Sequence, residues 1–188
     1  MKGKLIDASP NDIIYCTAAS GFTDFTHKAL NPNHPHASID RGWFSIQSAV
    51  PRIIQNDWDI TAGPKFTDLV EYQSIANHIA GVQVWRESEF ALRIKRWMLS
   101  GGAVRELGVS FSSADDWLLK REQEIDKLIE GMSRSYQKNP VYSDNIGVNI
   151  TRTGALFFNK NGHHRFSIAK CLKLSHVFVV PIVSFHRL

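Results

Sequence analysis

The chain has 188 residues, of which 43% are hydrophobic and 21% charged, values typical of a single globular domain with a substantial core. A net charge of +4 and a pI of about 9.1 are too modest for a protein that coats nucleic acid. Cys16 and Cys171 do not make a disulfide framework, and neither a membrane span nor a signal peptide is indicated. We therefore predict one cytoplasmic domain over residues 1–188, with no membrane partner.

The first segment, residues 1–42, is predicted to be irregular apart from a short strand at residues 13–15, because Pro and Asn interrupt it around residues 30–36. It carries His27, His34 and His36, but no cysteine and no second pair of ligands stand at zinc-type spacing from them. We therefore predict no metal site in this segment.

Two acidic residues, Asp57 and Asp59, flank Trp58 after a strand expected near Ile53. Side chains two positions apart in a strand face the same side, so both carboxylates would lie on one face. Such a pair can hold Mg²⁺ or accept a proton. The alternative, a solvated turn with Trp58 packed in the core, stays open.

The middle of the chain, residues 53–144, is predicted to be mainly helical. Apolar residues recur at helical spacing over 66–80, and Gly81 ends that helix. A second helix is expected over 90–99. Glu87 precedes it, at a position where the helix dipole favours an acid.

The strongest helical pattern follows Ser113, which is predicted to cap a helix that runs to about Tyr136. Its apolar stripe is expected to be buried: Leu118, Ile125, Leu128, Ile129 and Met132. Its charged residues are expected to face outward: Lys120, Arg121, Glu122 and Glu124.

The last segment, residues 145–188, is predicted to be a ββαβ unit. Its elements are a half-buried strand over 146–150, a hairpin turn at 152–154, a returning strand over 155–158, a helix over 163–173 and a buried strand over 177–183.

A phosphate-binding turn is predicted where the helix of this unit begins. Gly162 directly precedes the helix, whose first amides have no partner within the helix and lie at the positive end of its dipole. His163, His164 and Arg165 follow, and from Asn145 onward the chain has Lys and Arg but no Asp or Glu. The alternative is an ordinary turn whose basic side chains are solvated.

This turn resembles the Gly-x-His-Arg box of the ParB/sulfiredoxin superfamily. Gly162, His164 and Arg165 match the box, and the residues that match the sequence after it are Ala169, Leu172, Pro181 and Ile182. Asn161 stands where the box usually has Asp. His163 stands where sulfiredoxin has its reactive cysteine, so sulfinic-acid repair is not expected.

Upstream segments are similar to those of a group of ParB-like proteins. That group shares a W-D pair, an F-x-D-L-x-x-Y helix and a G-x-x-W-E-x-T segment. The matching residues here are Trp58, Asp59, Phe66, Asp68, Leu69, Tyr72, Gly81, Trp85, and Glu87 or Ser88.

The resemblance implies an α+β fold with a small ParB/sulfiredoxin-like mixed β-sheet and surrounding helices. The sheet would be built by residues 145–188 and the strand near Ile53. The resemblance also implies that the phosphates of ATP or ADP, with Mg²⁺, bind at five consecutive residues: Asn161, Gly162, His163, His164 and Arg165.

Members of the superfamily include kinases that act on a small hydroxyl substrate. The resemblance therefore implies a phosphotransferase in which Asp57, Asp59 or Glu87 is the general base. The alternative is a non-catalytic ParB-like module that binds a nucleotide or DNA, and Asn161 favours binding without chemistry. Nucleic acid is the less favoured partner, because no helix-turn-helix pattern with a basic recognition helix is present.

Overall fold

The structure is a computed structural model, and it describes residues 5–17, 39–40, 52–53, 62–100, 104–106, 109–110, 113–137, 145–159 and 162–184. The predicted site residues Asp57, Asp59 and Asn161 lie outside these ranges, and so do the three histidines of the N-terminal segment.

The described residues form an α+β fold in which a mixed β-sheet packs against helices. The helices are α1 (Val70–Ile79), α2 (Glu89–Leu99), α3 (Ala114–Arg134) and α4 (His163–Cys171). The strands are β1 (Ile6–Ala8), β2 (Tyr15–Thr17), β3 (Ile39–Asp40), β4 (Arg52–Ile53), β5 (Ala62–Lys65), β6 (Val104–Glu106), β7 (Val109–Ser110), β8 (Ile146–Ile150), β9 (Leu156–Phe158) and β10 (Val177–Ser184).

The main sheet has the strand order β1-β10-β8-β9-β2-β5, and β4 also pairs with β10. β8 and β9 form an antiparallel hairpin, whereas β10 runs parallel to β8. Because β4 pairs with β10 in parallel, the strand predicted near Ile53 joins the C-terminal unit as expected. A smaller sheet has the order β3-β6-β7.

The predicted order of the C-terminal ββαβ unit is confirmed, but β8 is not half-buried. Gly154, at φ +85°, closes the predicted hairpin turn, and its N–H donates to the Thr151 carbonyl at 3.0 Å. The polar side of β8 is buried as well, with Asn149 and Thr151 only 3% and 4% exposed. The reason is that β8 is a central strand, and Asn149 is satisfied there by the Asn159 side-chain amide at 2.9 Å.

The prediction that residues 1–42 are irregular is wrong for β1, and the short strand predicted at residues 13–15 lies two residues later, as β2. β1 pairs antiparallel with β10, and β2 pairs with β9 through Cys16 and Phe158. Each of these strands has three residues, which is too short for an alternating pattern to emerge from the sequence.

The predicted helices exist, with shifted ends and one wrong face. Residues 66–68 form a 3₁₀ turn before α1, and Gly81 follows α1 with φ +69°. Ser113 caps α3, because its hydroxyl accepts the Asp116 N–H at 3.3 Å. Arg121 and Glu122 were expected to face outward, yet they are only 9% and 7% exposed.

The core lies between the sheet and the helices, and aromatic rings link α4 to both. Phe166 of α4 stacks on Phe158 of β9 at 5.3 Å and 9°, and it packs 4.5 Å from Phe66. All three rings are fully buried. Within the described ranges, no helix combines the length and apolar character that crossing a membrane requires.

Candidate phosphate-binding turn

Residues 162–165, which we name the glycine turn, begin α4 in a backbone conformation that requires glycine. Gly162 has φ 75° and ψ 25°, the left-handed region. A Cβ added there would lie 2.9 Å from the Cα of Ile146, so the turn rests directly on the start of β8. The first helical hydrogen bond runs from the Phe166 N–H to the Gly162 carbonyl at 2.8 Å.

The first turn of α4 has the electrostatic character of an anion site. Gly162 provides no side-chain cap, and the first turn contains no acidic residue. The side chains of His163, His164 and Arg165 are half-buried there. Cations at a helix N-terminus oppose the helix dipole, whereas an anion at that position is stabilised by it.

Trp85 packs against the glycine turn from the segment before α2. Its ring is fully buried and meets the His164 ring edge-on, at 6.3 Å and 85°. The rings of His163 and His164 lie 4.0 Å apart. Two segments that carry the resemblance therefore contact α4, since Phe66 packs on Phe166 and Trp85 on His164.

Two polar side chains, His78 and Glu122, fix Trp85 and the residue after it. The backbone N–H of Trp85 donates to His78 Nδ1 at 3.1 Å, and His78 Nε2 lies 2.7 Å from Asp126 of α3. The Glu122 carboxylate accepts both the backbone N–H and the Nη1 of Arg86, each at 2.9 Å. The role of Glu122 could not be predicted from the sequence, because a helical pattern assigns charged residues to the solvent side.

Glu87 lies on the same short turn as Trp85, but its side chain is exposed. Its carboxylate opens onto two surface depressions, one shared with His78 and Val82 and the other with Lys95 and Asp115. Neither depression is lined by residues of the glycine turn.

A phenol lies near the glycine turn, and it was not predicted from the sequence. Burial raises the pKa of Tyr136 above its usual value. The hydrogen bond from the Phe178 N–H and the positive charge of Arg165 act against this rise, and the negative charge of Asp7 adds to it. The Tyr136 hydroxyl accepts the Phe178 N–H at 3.1 Å. Arg165 and the start of β10 thus lie at the same end of the sheet.

The other basic residue of α4 has a structural role. Lys170 Nζ donates to the Pro10 carbonyl at 2.6 Å and lies 5.0 Å from the centre of the Phe166 ring. Burial lowers the pKa of Lys170. Lys170 therefore anchors α4 to the N-terminal segment, whereas the glycine turn is at the opposite end of the helix.

No protein-family model, curated protein or solved structure matches this chain. The ParB/sulfiredoxin resemblance thus stays a prediction. In the part of the chain that the structure describes, no three His, Cys, Asp or Glu side chains come together as metal ligands.

Proposed function

We propose that the glycine turn binds the phosphates of a nucleotide, ATP or ADP. The observation that carries the proposal is the first turn of α4, where a left-handed glycine replaces a capping side chain and three basic residues replace the usual acids. An anion bound at this position would be stabilised by the helix dipole. Backbone amides and a guanidinium provide the donors that phosphate oxygens need.

Arg165 would bind phosphate oxygens through its planar guanidinium, and His163 and His164 would add donors beside it. Mg²⁺ would enter with the nucleotide, held mainly by phosphate oxygens, because such sites rarely need a full set of protein ligands. This proposal therefore needs no preformed metal cluster.

The proposal includes the finer assignments made from the sequence. We infer that the mixed sheet with α4 is a ParB/sulfiredoxin-like fold, supported by the Gly162, His164 and Arg165 match and by the contacts of Phe66 and Trp85 with α4. We also infer a cytoplasmic location, supported by Cys16 and Cys171, which are both free thiols.

Calorimetric titration with ATP, ADP and CTP, each with and without Mg²⁺, tests the phosphate proposal. We expect saturable binding by the native protein and a loss of at least about tenfold in Arg165→Ala, since a hydrogen bond to a charged group contributes about 1.5–3 kcal/mol. Arg96→Ala is the matched control, because it removes the same charge from a side chain that is 68% exposed on α2. Equal losses in both variants would contradict a localised site.

We propose phosphoryl transfer to a small hydroxyl compound as the reaction, on the strength of the resemblance. Among the described candidates for the base, Glu87 would have to act from its exposed turn. ADP release from ATP with serine, glycerol or ethanolamine as acceptor tests this step. Glu87→Gln should abolish turnover and keep ATP binding. ATP binding without any turnover would favour the alternative, a non-catalytic nucleotide-binding module.

A further inference from the structure

Three aromatic side chains, Tyr136, His176 and Phe178, form a cluster at the start of β10, which we name the aromatic cluster. The rings of Tyr136 and Phe178 are stacked, with centroids 5.9 Å apart and planes at 15°. The His176 ring meets both edge-on, at 6.2 Å from Tyr136 and 5.8 Å from Phe178. His176 is exposed, and the other two side chains are half-buried.

The aromatic cluster differs from the aromatic core around Phe66, Phe158 and Phe166. The core rings are fully buried and carry no polar atom. The aromatic cluster instead contains a phenol, in Tyr136, and an imidazole, in His176, and the His176 ring is exposed to solvent. Half-exposed aromatic rings with polar atoms are the kind of surface on which nucleobases stack.

The register of the sheet places the aromatic cluster near the glycine turn. Phe178 precedes Val179, which pairs with Ile146, and Ile146 is the residue on which Gly162 rests. The phenol of Tyr136 also lies within the electrostatic reach of Arg165. Strand pairing and charge both assign the aromatic cluster to the same end of the sheet as the glycine turn.

We propose that the aromatic cluster is the base-binding subsite of the nucleotide whose phosphates bind at the glycine turn. This inference rests on the proposed function, because it requires a phosphate anchor at residues 162–165. The base would stack on the exposed His176 ring, and Arg165 would bind the phosphates. Stacking on rings accepts any base, so the subsite selects nucleotides over inorganic polyphosphates rather than one base over another.

Parallel calorimetric titrations with ATP and with inorganic tripolyphosphate, both with Mg²⁺, test this subsite. One stacked base contributes about 1–3 kcal/mol, so we expect ATP to bind about 5- to 150-fold more tightly than tripolyphosphate. His176→Ala and Phe178→Leu should each weaken ATP binding by about fivefold or more and leave tripolyphosphate binding unchanged. His176 is exposed, so its variant should fold normally, and circular dichroism checks both variants.

The two ligands separate failure of this inference from failure of the phosphate proposal. Equal affinity for ATP and tripolyphosphate in the native protein would overturn the base subsite and leave the phosphate site intact. Unchanged ATP affinity in both aromatic variants would also overturn the subsite. A protein that binds neither ligand would overturn the phosphate proposal, and the base subsite with it.

Discussion

Helices α3 and α4 begin in opposite ways. Ser113 caps α3 with its hydroxyl, and Asp115 and Asp116 lie in its first turn. Gly162 begins α4 without a side-chain cap, and the first turn of α4 has no acid. α3 therefore places acids at its own N-terminus, whereas the first turn of α4 combines the positive end of the helix dipole with the positive charge of Arg165.

The segment before α2 resembles α3 rather than α4. Ser88 caps α2 by accepting the Ala91 N–H at 3.3 Å, and Glu122 and His78 accept the N–H groups of Arg86 and Trp85. Where the chain supplies its own acceptors for these N–H groups, the binding of an external anion adds little stability. α1 also begins without a side-chain cap, at Leu69, but Glu71 lies in its first turn. Among the described α-helices, α4 alone lacks both a capping side chain and an acid in the first turn, and this combination is a more specific sign of an anionic ligand than a missing cap or a basic turn by itself.

The largest effect is expected from replacing Gly162, which tests whether the backbone conformation at this position requires glycine. Gly162→Ala should lower the free energy of unfolding by at least about 2 kcal/mol, because φ is positive and the new Cβ would meet the Ile146 backbone. Gly154→Ala should cost less, since φ is also positive but no atom lies within 4 Å.

The matched control for these variants is Gly131→Ala within α3, where a Cβ meets nothing within 4 Å. It should stabilise the protein by about 0.5–1 kcal/mol. Urea unfolding measures all three variants. If Gly162→Ala and Gly131→Ala had the same effect, the glycine turn would not be conformationally constrained.

The second prediction concerns the buried thiol of Cys16 in β2, which is part of the core on which α4 packs. Burial, with a contribution from Glu71, raises the pKa of Cys16 from 9.0 to about 12. The folded state therefore keeps this proton longer than the unfolded state. The resulting stability should be fully present below pH 9.0 and be lost as the pH rises towards about 12.

Urea unfolding between about pH 8 and pH 11 measures this loss, which should reach the order of a few kcal/mol. The lowered pKa of Lys170 acts in the opposite sense, so comparison with Cys16→Ala isolates the thiol. That variant should start less stable, because it leaves a cavity, but should depend less on pH. An unchanged slope would exclude Cys16 as the source.

The third prediction tests the capped helix. Ser113→Ala should lower the free energy of unfolding by about 1 kcal/mol, because the Asp116 N–H loses its acceptor. Ser133→Ala is the control, since its exposed hydroxyl donates to the Glu130 carbonyl near the other end of α3, and it should change stability by less than about 0.5 kcal/mol. Equal effects would mean that the cap of α3 contributes nothing.

The smallest effect is expected from a substitution that gives the first turn of α4 an acid, as the first turn of α3 has. His163→Glu places an acid in the first turn of α4 and should stabilise the ligand-free protein by about 0.3–1 kcal/mol. The same change should weaken phosphate binding, because the acid competes for the same amides. Thermal unfolding with and without tripolyphosphate measures both effects. A destabilised ligand-free variant would contradict the dipole argument.

The C-terminal unit could be predicted from sequence because its signals are local. Alternation marks β8, Gly154 marks the hairpin, and Gly162 marks the beginning of α4. β1 could not be predicted, since its pairing with β10 depends on residues far away in the chain. β2 was predicted only approximately, at residues 13–15, because its partner β9 is also distant in the chain.

The candidate site could be predicted only in part. The spacing of Gly162, His164 and Arg165 is visible in the sequence, but the contact of Trp85 with His164 and the stacking of Tyr136 on Phe178 are tertiary. The burial of Glu122 was missed for the same reason: its partner, Arg86, lies on another element. The glycine turn could therefore be predicted from local sequence, whereas the residues that pack around it are known only from the tertiary structure.

The most direct test is to follow backbone amide chemical shifts by NMR during titration with Mg²⁺-ATP. The phosphate proposal predicts the largest changes at the amides of His163, His164 and Arg165. It predicts none at Asp115 and Asp116, which begin the capped helix and serve as an internal control. Saturable shifts that are largest at residues 163–165 and absent at Asp115 and Asp116 would support the site. Equal shifts at both helix N-termini, or shifts only elsewhere, would contradict it.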